Sequence, residues 1–243
     1  MKNYNKSTKF AADYKNNDIP TMKKGIIALL ALGMMCACTS QRKESQEITV
    51  TVNDAEGRKI MISPMGVEAN SAVMEVEGTC YSASMETSPL GFYHLVSIKD
   101  NAQIILPYYV PVNKDKSESQ ITFGERASVS LDGSQDNEAL AAYLNAYAQT
   151  SRAIWAPNAN LTTPDLLKSY ITKADSILKV YRCSEPVKEY LRIWGYVSAY
   201  EDYASVQRIL KLKSEDMPYS RADLIAQSHS VFNSPIAALF PST

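Results

Sequence analysis

The sequence predicts an α+β protein: an N-terminal antiparallel β-sandwich or open barrel, followed by a C-terminal bundle of three to four helices. Three observations carry this expectation. Residues 46 to 133 alternate apolar and polar side chains with period two. Residues 134 to 243 repeat apolar side chains every three or four positions, and turn-forming residues punctuate both halves. The chain has 243 residues, of which 45% are hydrophobic and 21% charged, a composition able to fill a globular core.

The strands come first. Ile48-Thr49-Val50-Thr51-Val52 and Val73-Met74-Glu75-Val76-Glu77 alternate strictly, and Cys80 falls in a strand. Phe92 to Ile98, Ile104 to Val110, Ile121 to Phe123 and Ala127 to Leu131 continue the series. Asn53 to Gly57, Lys99 to Asn101 and Asp132 to Ser134 supply turns between them. Short strands at this spacing favour antiparallel sheets over parallel βαβ units. Pro107 has no N–H to give a ladder, so its strand lies at an edge or is kinked.

The helices follow. Leu140, Tyr143, Leu144, Tyr147 and Ala148 share one face of the first. Thr163 caps the second, with Pro164 at its first position, and Leu167, Tyr170, Ala174, Ile177, Leu178 and Tyr181 form its stripe. Ser184 caps a third, with Pro186 in its first turn and Val187, Leu191, Trp194 and Val197 on one face. Ser220 and Asp223 form a capping box for a short fourth. The turn at Asp132-Gly133-Ser134 is too short for a linker between independent bodies, so the helices are expected to pack partly on the sandwich.

The segment before residue 46 is of another kind. Lys23 and Lys24 precede an apolar run from Gly25 to Met35, far short of the about 20 residues that span a bilayer. This is the shape of a signal peptide, residues 1 to 37, with Met22 as the favoured true start. The run ends in cysteine, as in the lipobox of bacterial lipoproteins. Ala37 is small and suits the peptidase, whereas Met35 before Cys36 is bulky. Cys38 is therefore the expected lipidation site, followed by a short tether over residues 38 to 45. Loss of Lys2, Lys6, Lys9, Lys15, Lys23 and Lys24 with Asp13 and Asp18 would move the net charge from -1 to -5. An acidic body argues against nucleic acid as a partner.

The search for chemistry in the remaining chain yields little. The two histidines, His94 and His229, lie in different halves, and no His-Glu-x-x-His or Cys-x-x-Cys occurs, so no metal is expected. No phosphate loop or nucleophile elbow is present, and no cofactor or catalytic residue is assigned. Cys80 and Cys183 are the candidate pair for a disulfide in an oxidising envelope, although buried unpaired cysteine is common. Tyr196, Tyr200 and Tyr203 share one helix face and are the candidate aromatic binding surface for a sugar or peptide. Aromatic stripes at helical spacing are more often core.

Several segments together resemble a known family. Gly91-Phe92-Tyr93-His94-Leu95 opens a strand, and Ala127-Ser128-Val129-Ser130-Leu131-Asp132-Gly133-Ser134 precedes Asp136-Asn137-Glu138-Ala139-Leu140. This resembles the N-terminal domain of unknown function of Bacteroidetes thioredoxin-like lipoproteins of the TlpA type. Val187 to Tyr196 and Phe232 to Thr243 look like the helical connector of the same proteins. The resemblance implies a β-domain over residues 46 to 133 and a helical region over 134 to 243. No residue here matches the family's redox cysteines, and the chain stops where the thioredoxin domain would begin, so no catalytic residue carries over.

Three functions follow as expectations. The first is a non-enzymatic envelope lipoprotein, held through Cys38 on the outer membrane, facing the periplasm or, as the alternative, the cell surface, that binds or positions an envelope protein. The second is a truncated, redox-inactive relative of a thiol-disulfide oxidoreductase. The third is a hydrolase using paired carboxylates, which would show as a cleft lined by them.

Overall fold

Alternation along β1 (Ser45–Val52) sends Gln46, Ile48, Val50 and Val52 inward and leaves Ser45 and Glu47 in solvent. The same period shapes β2 (Lys59–Pro64), β6 (Phe92–Lys99) and β8 (Lys116–Phe123). The protein is described by a computed structural model, which covers residues 45–240 apart from 68–70, 101, 125–127, 157–158, 160–163 and 218–220. The signal segment, Cys38 and the tether before Ser45 lie outside the described residues, as do the expected caps Thr163 and Ser220.

Among the described residues, nine strands form two sheets. One has the order β4-β5-β1-β8-β9, with β4 (Glu75–Glu77), β5 (Cys80–Glu86) and β9 (Val129–Asp132). The other has the order β3-β2-β6-β7, with β3 (Ala72–Val73) and β7 (Ala102–Tyr109). The expected α+β class is what the chain adopts, and Pro107 lies on the edge strand β7 opposite His94. Two details differ from the sequence reading. The expected strand Val73–Glu77 is two strands in different sheets: buried Met74 is the crossing point, and the chain passes from one sheet to the other there. The sandwich is also not wholly antiparallel. β1 enters the middle of the five-stranded sheet and runs parallel to β8, because β8 arrives by a crossover from the other sheet rather than by a hairpin.

Between the sheets lies a core of Ile48, Val50, Val52, Ile60, Ile62, Leu95, Leu106, Tyr108, Ile121 and Leu131. Each such side chain contributes about 1.5–3 kcal/mol on leaving water. Its polar members are satisfied within it. The Tyr108 hydroxyl lies 2.7 Å from the Ser119 hydroxyl and 2.8 Å from that of Ser117.

One tight approach sets the loop before β6. Gly91 has φ +79°, its carbonyl accepts from the Val110 N–H at 2.9 Å, and a Cβ there would lie 2.4 Å from the Val110 oxygen. Gly91→Ala is therefore expected to destabilise the fold by at least about 2 kcal/mol, the left-handed penalty plus the displaced bond. A lowered urea midpoint checks this, and an unchanged midpoint would contradict the strain.

Among the described residues, four α-helices follow: α1 (Gln135–Ile154), α2 (Pro164–Val180), α3 (Glu185–Leu210) and α4 (Arg221–Ser228). Ser134 caps α1, its hydroxyl accepting from the Asn137 N–H at 3.2 Å. Ser184 holds the N-cap position of α3, but its side chain makes no cap bond. Its N–H donates instead to Asp136 at 2.7 Å, which ties the start of α3 to the first turn of α1.

α1 is the element that closes the sandwich. β9 and β7 are the edges of the two sheets on one side. Asn137 meets the β7 edge: its Oδ1 accepts from the Tyr109 N–H at 2.7 Å and its Nδ2 donates to the Tyr109 carbonyl at 3.0 Å. Asn145 does the same at β9, accepting from the Val129 N–H at 2.9 Å and donating to its carbonyl at 2.7 Å. The amide side chains thus stand in for a neighbouring strand, and α1 covers edges that would otherwise be open. Ala141 is part of the sandwich core, while Ala139, Leu140 and Tyr143 join Met65, Phe92 and Tyr109 in a second cluster with α3.

α3 is the central helix. Tyr190, Leu191, Ile193, Val197, Ala199, Tyr203 and Val206 are buried around much of its circumference, as expected of a helix surrounded by others. At Gly195 an added Cβ would lie 3.3 Å from the Ile171 Cα, so the absent side chain permits close contact with α2. Phe92 joins sheet to helices by stacking on Tyr190 at 4.6 Å; within the sheet it tilts on Tyr109 at 4.9 Å, and between helices Trp194 meets Tyr143 edge-on at 4.7 Å. The described residues belong to one compact unit.

Candidate functional site

A polar concavity lies at the end of the sandwich opposite Ser45. The β1–β2 turn, Asn53 to Arg58, forms one wall. Gly78 and Thr79 from the β4–β5 turn, Val76 and Lys99 complete a cleft of about 660 Å³, with Tyr81 at its base. The local cause is a turn sequence with Gly57 at φ +69°, followed at once by an arginine four residues after Asp54. Arg58 folds back inward, its side chain only 7% exposed. Its Nη2 donates to the Asp54 carboxylate, its Nη1 donates to the Ser97 hydroxyl at 2.6 Å, and its guanidinium lies 4.0 Å from the Phe123 ring centre. The Tyr81 hydroxyl donates to the Ala55 carbonyl at 3.1 Å or the Arg58 carbonyl at 2.9 Å. Lys99 faces the Asp54 carboxylate at 3.8 Å.

This arrangement fixes the turn and leaves a polar rim. Asp54 and Glu56 both line the cleft; the Asp54 Oδ2 pairs with Arg58 and Lys99 while its buried Oδ1 has no hydrogen-bond partner, and Glu56 stands in solvent. They form a strut and a rim rather than an acid–base pair. The surface is suited to binding, through the Lys99 ammonium, the Thr79 hydroxyl, the Glu56 carboxylate and the exposed Val76 side chain. Arg58→Met keeps most of the volume but strands Asp54 and Ser97. It should cost about 2–4 kcal/mol, because breaking a largely buried pair leaves its partner uncompensated. Urea unfolding should show a lower midpoint with an unchanged slope; wild-type stability would mean the network is ornamental.

The residues singled out from sequence are distributed otherwise. Tyr203 is 2% exposed, and Tyr196 and Tyr200 pack with it against Ile154, Tyr170, Val206 and Met217. The expected aromatic binding face is thus part of the helical core, since α3 is enclosed by its neighbours. Tyr170 donates to Asp202 at 2.6 Å, and burial followed by that bond raises its pKa, as suits a hydroxyl that stays protonated. Cys80 and Cys183 are free thiols: Cys80 is half-buried at the start of β5 and Cys183 is buried in the cluster joining sheet and helices. They do not form the candidate disulfide: Cys80 sits on β5 of the sandwich and Cys183 in the cluster at the start of α3. His94 lies on β6 and His229 follows α4. Among the described residues, no three His, Cys, Asp or Glu side chains gather where they could hold a metal ion.

Burial pushes the Cys183 thiol up to about 11, with the Asp136 charge adding to it. A thiol exchanger needs the thiolate. Near neutral pH Cys183 is therefore held as the thiol. Two outcomes are expected: no turnover in an insulin reduction assay, and slow alkylation of Cys183 until the chain is denatured. Turnover that vanishes in Cys80→Ser or Cys183→Ser would overturn this.

No family model matches the chain, and no curated protein matches it. Among the described residues, no helix is long and apolar enough to cross a membrane.

Sequence reasoning missed Arg58, Lys99, Asn137 and Asn145. Asn53 to Gly57 was legible as a turn, and the Asp54–Arg58 spacing was the available signal for the strut. Nothing in the sequence points from Arg58 to Ser97 or Phe123, which reach it only through sheet packing.

Proposed function

We propose that this chain is a membrane-tethered envelope lipoprotein whose mature body binds or positions an envelope protein and carries out no catalysis. The observation that carries the reading is the ordered series Lys23-Lys24, an apolar run to Met35, then Ala37-Cys38 and a polar stretch leading into β1. A lipidated Cys38 would hold the body close to the bilayer, on the periplasmic face of the outer membrane in this reading. The resemblance to the accessory domain of thioredoxin-like lipoproteins points the same way. The non-catalytic part is supported by the cleft, whose Asp54 and Arg58 side chains are engaged with each other and with the fold.

The test is metabolic labelling with an alkyne palmitate analogue, combined with mass analysis of the N-terminal peptide. The expected peptide begins at a triacylated Cys38. A mature N-terminus elsewhere, without label, would sink the anchor. Capture from envelope extract with the lipid-bearing protein, compared with an Arg58→Met and Lys99→Glu variant, then asks whether the cleft selects the partner.

A further inference from the structure

We infer that the Pro111–Lys114 turn, with Pro89 and Leu90 beside it, is the surface that rests on the lipid headgroups, and that the cleft at Asp54 and Lys99 faces away from the membrane. This rests on the proposed lipid at Cys38 and adds an orientation to it.

Chain geometry supplies the first argument. Only residues 39 to 44 separate Cys38 from Ser45, so the tether reaches at most about 25 Å. The chain enters through β1, the central strand of its sheet, so the loops at the Ser45 end surround the point of attachment. The cleft is at the other end, the length of β1 further on, about 26 Å for eight residues.

The second argument is that the root of the tether grips the proposed surface. Gln46 is fully buried, and its Nε2 donates to the Pro111 carbonyl at 2.9 Å and to the Lys114 carbonyl at 2.8 Å. The Tyr93 hydroxyl donates to the Gln46 Oε1, and the Glu47 N–H donates to the Asp115 carbonyl at 2.8 Å. The turn is thus locked beside the first residue of the body. The Val110 N–H bond to Gly91 sets Leu90 next to it.

Composition is the third argument. Pro89 is exposed, Leu90, Pro111 and Val112 are half-buried, and Lys114 and Lys116 are exposed. Short apolar tips with lysine heads suit the bilayer interface, where the stem stays apolar and the ammonium reaches headgroups. Glu47, Glu86 and Asp115 face the same end, and Glu47 pairs with Lys116 at 2.7 Å. The end therefore carries little net charge, and its contact does not require anionic lipid.

The experiment uses the full lipid-bearing protein in phosphatidylethanolamine–phosphatidylglycerol vesicles at low protein density, with the same protein in neutral detergent as reference. Lysine acylation is read by mass spectrometry at Lys114 and at Lys59, which is exposed at the far end of the sandwich. Expected is a several-fold fall in Lys114 labelling in vesicles with Lys59 unchanged. Equal labelling of both in floated vesicles overturns the orientation while leaving the anchor intact. Protection of Lys59 instead reverses it. Protection of Lys114 that appears only at high protein density assigns the surface to a second copy of the chain and overturns the lipid contact. Failure to float with vesicles removes the anchor and this inference with it.

Discussion

Cys38→Ala is expected to abolish stable membrane attachment, so that an alkaline wash releases the variant and leaves the wild type behind. Each buried methylene contributes about 0.8 kcal/mol, and durable anchoring takes two or more acyl chains, which a triacylated cysteine supplies. Without the thiol no lipid is added. The remaining apolar run, Gly25 to Met35, is about 16 Å long as a helix, roughly half the hydrocarbon thickness. An uncleaved precursor would therefore be held weakly. Cys36→Ala is the control: in the proposed reading Cys36 would leave with the signal, so that variant should stay with the membrane and keep its label. Resistance of Cys38→Ala to the wash, or equal loss in both variants, would move the attachment elsewhere.

The fold was legible where one face of a strand or helix is apolar and the other is not. β1 announces itself because Ile48, Val50 and Val52 alternate with Thr and Glu. β2 and β5 do not. Met61 on the outer face of β2 is apolar and hides the alternation, and β5 interrupts its pattern with Ser82, Ala83 and Ser84. The parallel pairing of β1 with β8 depends on the order of sheet crossings, which no local pattern encodes. The tyrosines of α3 show the reverse problem. Tyr196, Tyr200 and Tyr203 form a stripe whether they face a ligand or a neighbouring helix, and only packing decides between the two. The candidate cleft was half legible: its turn was plain, and the inward fold of Arg58 was not. Nothing in the sequence sets Asn137 and Asn145 apart from the amides that are ordinary on an exposed helix face. Their role follows from the sheet edges that α1 happens to cross.

That role gives the second large effect. Residues 45 to 133 without the helices should fail to form a stable, soluble sandwich, and the mature chain should unfold in a single calorimetric transition. α1 contributes Ala141 to the sandwich core and covers Met65, Phe92 and Tyr109 with Leu140 and Tyr143. Its removal would expose that apolar surface and leave the edges β7 and β9 open to other chains. The same coupling can be tested in the intact chain. Asn137→Ala removes both bonds to Tyr109, whose N–H and carbonyl remain buried, and should cost about 2–4 kcal/mol. Asn145→Ala acts at a part-buried edge where water can substitute, and should cost about 1 kcal/mol. Neither replacement should split the transition, because Phe92 still stacks on Tyr190 and binds sheet to helices. Two separated transitions in the wild type, or a monomeric folded fragment of residues 45 to 133, would show that the sandwich stands alone and that the amide clamps are dispensable.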